Sequence, residues 1–233
     1  MTSECTRIVV AITGASGVCY GIRALDLLAE AGIETHLVIS KSGIATLAQE
    51  TTISVQDVKQ RASVVHSPQD LGASISSGSF PVAGMLIAPC SIRTLSGIAN
   101  SYDENLVVRA ADVTLKERRR LVLMVRETPL HAGHLRLMTQ VTEAGAIVMP
   151  PVPAFYTKPT SVQEIVDDTV RRSLDLLGLN VKNERRWNGE RRTDSAPGPP
   201  SENDRKATMR NAQATSPNRP SSPGGPSSVT AGR

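Results

Sequence analysis

Thr13-Gly14-Ala15-Ser16-Gly17 separates two segments of different hydrophobic period. Before it runs Ile8-Val9-Val10-Ala11-Ile12, a continuous apolar stretch suited to a buried strand. After it, Ile22, Leu25, Leu28 and Ala29 recur at i, i+3, i+6 and i+7, the spacing of one helix face. A strand, a glycine turn and a helix together aim backbone N–H groups and a helix N-terminus at an anion. The same residues also describe an ordinary strand-to-helix turn in which Ser16 caps the helix. Gly14, Gly17 and Gly21 do not have the spacing of the dinucleotide pattern G-x-G-x-x-G, and no G-x-x-x-x-G-K-[ST] occurs. The next strand-like run, Thr35 to Ile39, ends in Ser40-Lys41, where a dinucleotide fold places an acid for the ribose. No Tyr is followed by a Lys four residues later, which excludes a short-chain dehydrogenase. The loop therefore points to a mononucleotide rather than NAD.

The same alternation continues along the chain. Strands are predicted over 8–12, 34–39, 85–88, 121–125 and 146–149, and helices over 18–31, 42–50, 92–100, 104–118, 131–144 and 162–177. Ser161-Val162-Gln163-Glu164 reads as a capping box opening the last helix. Residues 51–83 are mixed and punctuated by Ser and Gly. Strands spaced by helices imply an α/β fold, a parallel sheet with helices on both faces and ligands at the strand C-terminal ends.

Composition divides the chain. Residues 188–233 contain no Ile, Leu, Phe, Trp or Tyr and hold seven of the fifteen prolines. Such a segment cannot offset its ordering entropy by burial, so 189–233 is expected to be a disordered basic tail beside a folded domain of 1–188. Nine Lys/Arg against five Asp/Glu in 183–233 account for the whole net charge of +4. The folded part is therefore neutral, and no nucleic-acid partner is expected. The polar start and the short apolar run after it give no secretory signal, and no segment is long enough to span a membrane. Cys5, Cys19 and Cys90 have no paired spacing, so free thiols in the cytoplasm are expected.

Polar residues converge on the predicted strand ends: Gly14-Ala15-Ser16, Ser40, Ser91-Ile92-Arg93-Thr94, Arg126-Glu127, and Phe155-Tyr156 after the last strand. Strand ends always meet polar loops, which accounts for Ser40 or Thr94 singly. An Arg126-Glu127 pair directly after five apolar residues is harder to dismiss that way. Arg109 and Lys116 fall on one helix face with Asp112 between them, as a solvated ion-paired face or a binding one. His131 and His134 lack a third ligand and read as surface histidines, and Cys90 reads as a small buried thiol.

Together with Leu115 to Arg118, Thr128-Pro129-Leu130 and Pro153-Ala154, these segments resemble the UbiX flavin prenyltransferase family over roughly residues 6–188. Ser76 to Phe80 is closer to those members of the family that accompany phenolic acid decarboxylases. The resemblance implies a flavodoxin-like or Rossmann-like fold assembled as a homododecamer. It implies transfer of a dimethylallyl group from dimethylallyl monophosphate to N5 and C6 of reduced FMN, without a metal. The prenylated FMN so made would serve a UbiD-type decarboxylase.

By position, the resemblance implies FMN contacts at Gly14, Ala15, Ser16, Ser40, Ser91, Ile92, Arg93, Thr94 and Arg126. Arg93 is unusually large for its position, so contact at 92–93 is expected through the backbone. The donor phosphate would meet Tyr156, Arg172 and Lys116, with Arg109 from a neighbouring subunit and Trp187 helping to close the site. Glu127 would protonate the departing phosphate, and Glu50 and Ser16 would serve proton removal near the flavin. A phosphate leaving without Mg²⁺ needs side-chain cations, and Arg109, Lys116, Arg126 and Arg172 supply them. Two other readings are a non-catalytic FMN-binding accessory subunit of an aromatic acid decarboxylase complex and a flavin-dependent decarboxylase of peptidyl-cysteine type. The second would need a His soon after the first loop, yet His36 lies on a predicted strand. A carrier of FMN alone would have no use for the donor-phosphate set.

Overall fold

The apolar run at the start of the chain becomes the middle of a sheet. The computed structural model describes residues 6–179 and residue 181. Six strands, β1 (Arg7–Ile12), β2 (Glu34–Ile39), β3 (Val64–His66), β4 (Gly84–Cys90), β5 (Arg120–Val125) and β6 (Ile147–Val148), pair in the order β3-β2-β1-β4-β5-β6. Every pairing is parallel. The expected α/β class is therefore the observed one, and the order is that of the Rossmann arrangement.

The helices are α1 (Val18–Glu30), α2 (Lys41–Glu50), α3 (Val55–Gln60), α4 (Ile92–Ala99), α5 (Leu106–Lys116), α6 (Ala132–Glu143) and α7 (Val162–Leu176). Alternate residues of β1 face opposite layers. Ile8, Val10 and Ile12 pack with α1 and α7, while Val9 and Ala11 pack with α4, α5 and α6. Each fully buried Leu, Ile or Val in these layers contributes ~1.5–3 kcal/mol relative to exposure. Two cores thus hold the sheet rigid from both sides. From β1 the chain winds toward β3, and from β4 toward β6, so the winding reverses between β1 and β4. In open α/β sheets such a reversal is where ligands bind, in the crevice outside the strand C-terminal ends.

The seat of α1 is tight. A Cβ built on Gly21 would lie 2.3 Å from the Ala88 carbonyl oxygen and 2.7 Å from Ile12 Cγ1. Backbone cannot yield as a flexible side chain can. Gly21→Ala is therefore expected to lower stability by ~1–3 kcal/mol through overpacking, read from denaturant unfolding; an unchanged midpoint contradicts this packing.

Three local features differ from the sequence reading. Within residues 51–83 stand a helix, α3, and an edge strand, β3, where only mixed structure was expected. α3 carries a full capping box, with Ser54 accepting from Asp57 N–H and Asp57 from Ser54 N–H. At α7, Ser161 accepts from Glu164 N–H as expected, but the Glu164 carboxylate bonds Thr160 instead of Ser161. The tail 189–233 and Trp187 lie outside the described residues. No helix among the described residues is long and apolar enough to cross a membrane.

Candidate active site

Four neighbouring strands are stitched together just where their ladders end. Ser40 N–H donates to Ile12 O at 3.0 Å, Thr13 N–H to Pro89 O at 3.2 Å, and Arg126 N–H to Cys90 O at 3.1 Å. The Thr13 hydroxyl donates to Pro89 O at 2.7 Å and accepts from Ser91 N–H at 2.9 Å. These bonds fix the loops carrying Gly14 to Ser16, Ser40, Ser91 to Thr94 and Arg126-Glu127 at one end of the sheet. Most of the residues expected to hold FMN are therefore gathered at the crevice.

The glycine turn differs from the alternative in which Ser16 caps α1. Gly17 is the N-cap of α1, in the left-handed region at φ 104°, and it has no side chain to cap with. Glu50, at the far end of α2, supplies the missing acceptor. Its carboxylate accepts from Gly17 N–H at 3.0 and 2.9 Å and from Val18 N–H at 3.0 Å. Burial raises the Glu50 pKa, but hydrogen bonds from the Ser16 hydroxyl and these two amides, with the positive charge of Arg126, outweigh it. Glu50 is therefore held below the usual carboxylate range. The anion at the N-terminus of α1 is thus a residue of the chain. Gly14 serves packing here, since its Cβ would stand 2.3 Å from Ser42 Cβ.

The hydroxyl groups are fixed by caps. Ser40 caps α2, accepting from Gly43 N–H at 3.0 Å. Ser91 caps α4, accepting from Thr94 N–H at 3.3 Å and sharing a 3.1 Å bond with the Thr94 hydroxyl. Ile92 packs against the core on the α4 side of the sheet. The Arg93 guanidinium turns outward to Glu104 at 3.1 Å, which leaves only its backbone for the crevice. Arg126 makes no ion pair among the described residues. Hydroxyl groups, the N-terminus of α4 and an uncommitted guanidinium fit a phosphate-bearing, polar aromatic group such as FMN.

The donor-phosphate set is more dispersed. Glu127 adjoins Arg126, and its carboxylate accepts from Thr128 N–H at 3.0 Å. Arg109 is committed to Ser76 O, Asp103 and Asp112 at 3.1–3.3 Å. Lys116 ends α5 and pairs with Glu117. It lies beside the start of β5, so the six residues of that strand separate it from Glu127 by ~20 Å. Within one chain Lys116 therefore does not reach Glu127. Arg172 sits ten residues into α7, ~15 Å from its N-terminus. Tyr156 occupies a short helical turn, Phe155–Thr157, with Val152, Phe155 and Tyr156 from 62% to 74% exposed.

Among the described residues neither cysteine nor histidine supplies a rival centre. Burial pushes the Cys90 thiol up to about 12, which removes it as a nucleophile. Cys19 is exposed, and both thiols are free. His131 caps α6, accepting from Gly133 N–H at 3.0 Å, and its ring lies 3.6 Å from that of His134. Among the described residues no three His, Cys, Asp or Glu side chains are grouped to hold a metal. A groove of about 450 Å³ runs between α4 and α6, past Arg93, His134 and Leu137. Ile92 and Arg93 of the expected FMN set line it, but Ser16, Glu50, Arg126 and Glu127 do not.

The family model described as Flavoprotein matches residues 1–174. The flavin prenyltransferase UbiX of Thauera aromatica is 56% identical over 190 residues, covering 82% of this chain and 98% of that protein. A crystal structure of AnUbiX in complex with FMN and dimethylallyl pyrophosphate superposes with TM-score 0.79 at 48% identity, covering 81% of this chain and 100% of that one. A dodecameric FMN-dependent UbiX-like decarboxylase from Escherichia coli O157:H7 gives TM-score 0.76 at 46% identity, covering 79% of this chain and 100% of that one.

Proposed function

This chain belongs to the UbiX flavin prenyltransferase family, and we propose that it moves a dimethylallyl group from dimethylallyl monophosphate to reduced FMN. The observation that carries the proposal is Glu50 fixed on Gly17 and Val18 N–H beside Ser16, at the same end of the sheet as Arg126, whose N–H binds Cys90 O, and Glu127. An anion, a cation and a second carboxyl group at the end of the sheet where α4 begins support the reading.

Reduced FMN, when bound, supplies the nucleophilic N5 and C6 positions. The chain's residues do the rest. Ser91, Thr94 and the first N–H groups of α4 hold the flavin phosphate, and Ser40 and the backbone of Gly14 and Ala15 flank the flavin. Ser16 donates to Glu50, and together they form the route by which a proton leaves the flavin. With a lowered pKa, Glu50 stays ionised at neutral pH and acts first as a fixed negative charge. Arg126 and Arg172 neutralise the donor phosphate as the carbon–oxygen bond breaks, and Tyr156 orients it. Glu127 delivers a proton to the departing phosphate.

Arg109 and Lys116 would then serve a neighbouring subunit, consistent with a homo-oligomer. For Lys116 this moves the role from its own chain's site to the next one. The product, prenylated FMN, would pass to a UbiD-type decarboxylase in the cytoplasm.

Replacing Arg172 separates a prenyltransferase from an FMN-binding accessory subunit. Arg172→Ala is expected to lower prenyl transfer ~100-fold or more, the scale of one lost charge-stabilising group, with FMN affinity unchanged. Equal turnover by the variant contradicts the donor assignment.

A further inference from the structure

Thr13 has no place in the residue set above, yet it occupies the point where the sheet reverses its winding. It is 1% exposed, among the few buried polar side chains. A buried hydroxyl is costly unless its hydrogen-bonding capacity is met. Here the donor goes to Pro89 O at 2.7 Å and an acceptor lone pair to Ser91 N–H at 2.9 Å. The Thr13 backbone N–H also reaches Pro89 O.

The β1–β4 ladder itself stops at Ala11 and Ile87. Beyond it, Thr13 is what ties the end of β1 to the residues leading into α4. Ser91, the N-cap of α4, is thereby held at two points. Thr13 fixes its backbone N–H, and Thr94 fixes its hydroxyl at 3.1 Å. The residue after Thr13 opens the glycine turn that Glu50 and Ser16 complete. The Thr13 hydroxyl and backbone N–H therefore hold the loop bearing Ser16 against the loop bearing Ser91, and only the hydroxyl reaches Ser91 itself.

We propose that Thr13 is a positioning residue for FMN, holding the N-terminus of α4 at its working distance from the glycine turn. The proposal rests on the FMN reading given above. It requires a hydroxyl, not merely a β-branched side chain. Valine keeps the shape but leaves Ser91 N–H without its partner and Pro89 O with the Thr13 backbone N–H alone. Serine keeps both bonds.

The test compares the full chain with Thr13→Val and Thr13→Ser, titrating each with FMN by quenching of flavin fluorescence and recording thermal midpoints without FMN. The expected result is ~10-fold or greater weakening of FMN binding by Thr13→Val, with Thr13→Ser close to the parent. Weakening should exceed anything explained by the unfolded fraction at the assay temperature. Should the valine variant fail to fold, Thr13→Cys, with a weak thiol donor in the same place, is titrated instead and is expected to bind FMN ~10-fold less tightly. A lowered thermal midpoint with unchanged FMN affinity overturns the proposal and leaves Thr13 a purely structural clamp. Failure of the parent chain to bind FMN is a separate outcome, which overturns the FMN reading and the proposal with it.

Discussion

Glu127→Gln is expected to lower prenyl transfer ~10³-fold, within the range for loss of a positioned general acid, while FMN stays bound. Glu127 follows Arg126 at the end of β5, where Arg126 N–H is fixed to Cys90 O at 3.1 Å. Its carboxylate is partly buried and accepts from Thr128 N–H, which limits the directions it can take. Glutamine retains the size and that hydrogen bond but has no acidic proton. A leaving phosphate must then depart without one, and only the cations remain to stabilise it. Flavin binding depends on other groups, so the affinity for FMN should change by no more than ~2-fold, the size of an ordinary surface effect. Single-turnover mass analysis separates the two. Normal turnover by Glu127→Gln removes Glu127 from the chemistry.

Glu50→Gln is the second large effect, and it should appear in both stability and activity. Both carboxylate oxygens of Glu50 accept backbone N–H groups at the start of α1. An amide has one acceptor oxygen, and its NH₂ would face an N–H donor. The variant also loses the favourable charge at a helix N-terminus. Because the side chain is exposed, solvent screening puts the stability loss near the lower end, about 1 kcal/mol. The pH dependence has a definite sign. The folded-state pKa of Glu50 is lowered, so its contribution is complete above the unfolded value of ~4.3 and fades as pH falls through the folded value. The gap between parent and variant should stay constant from neutral pH down to the ordinary carboxylate range and close in more acidic solution. A gap that widens on acidification contradicts the carboxylate cap. Turnover of the variant should also fall, since Ser16 loses its anionic partner.

The sequence made the sheet legible because its strands are buried on both faces. Ile8 to Ile12, Met85 to Ala88 and Leu121 to Val125 are continuous apolar runs, and nearly every side chain in them is 0–1% exposed. β3 has no such pattern, for the opposite reason. It has three residues at the sheet edge, and Val64 and Val65 remain 37% and 39% exposed. Nothing so short and so open has a pattern to detect.

The candidate site was legible to the same degree. Parallel α/β architecture sends ligands to strand C-terminal ends, so Ser40, Ser91 and Arg126 could be found by locating the strands. The capping of α1 could not be found that way. Gly17 and Glu50 are 33 residues apart, and only the path of β2 and α2 brings them together. Thr13 carried a weak signal, a polar residue closing an apolar strand. Lys116 shares a helix face with Arg109, and its helix ends beside the start of β5, away from the strand C-terminal ends.

The most direct measurement is anaerobic incubation of the protein with FMN, dithionite and dimethylallyl monophosphate, followed by mass spectrometry of the extracted flavin. A flavin heavier by one prenyl unit is the predicted result. FMN recovered unchanged, with the diphosphate donor as well as the monophosphate, contradicts prenyl transfer by this chain.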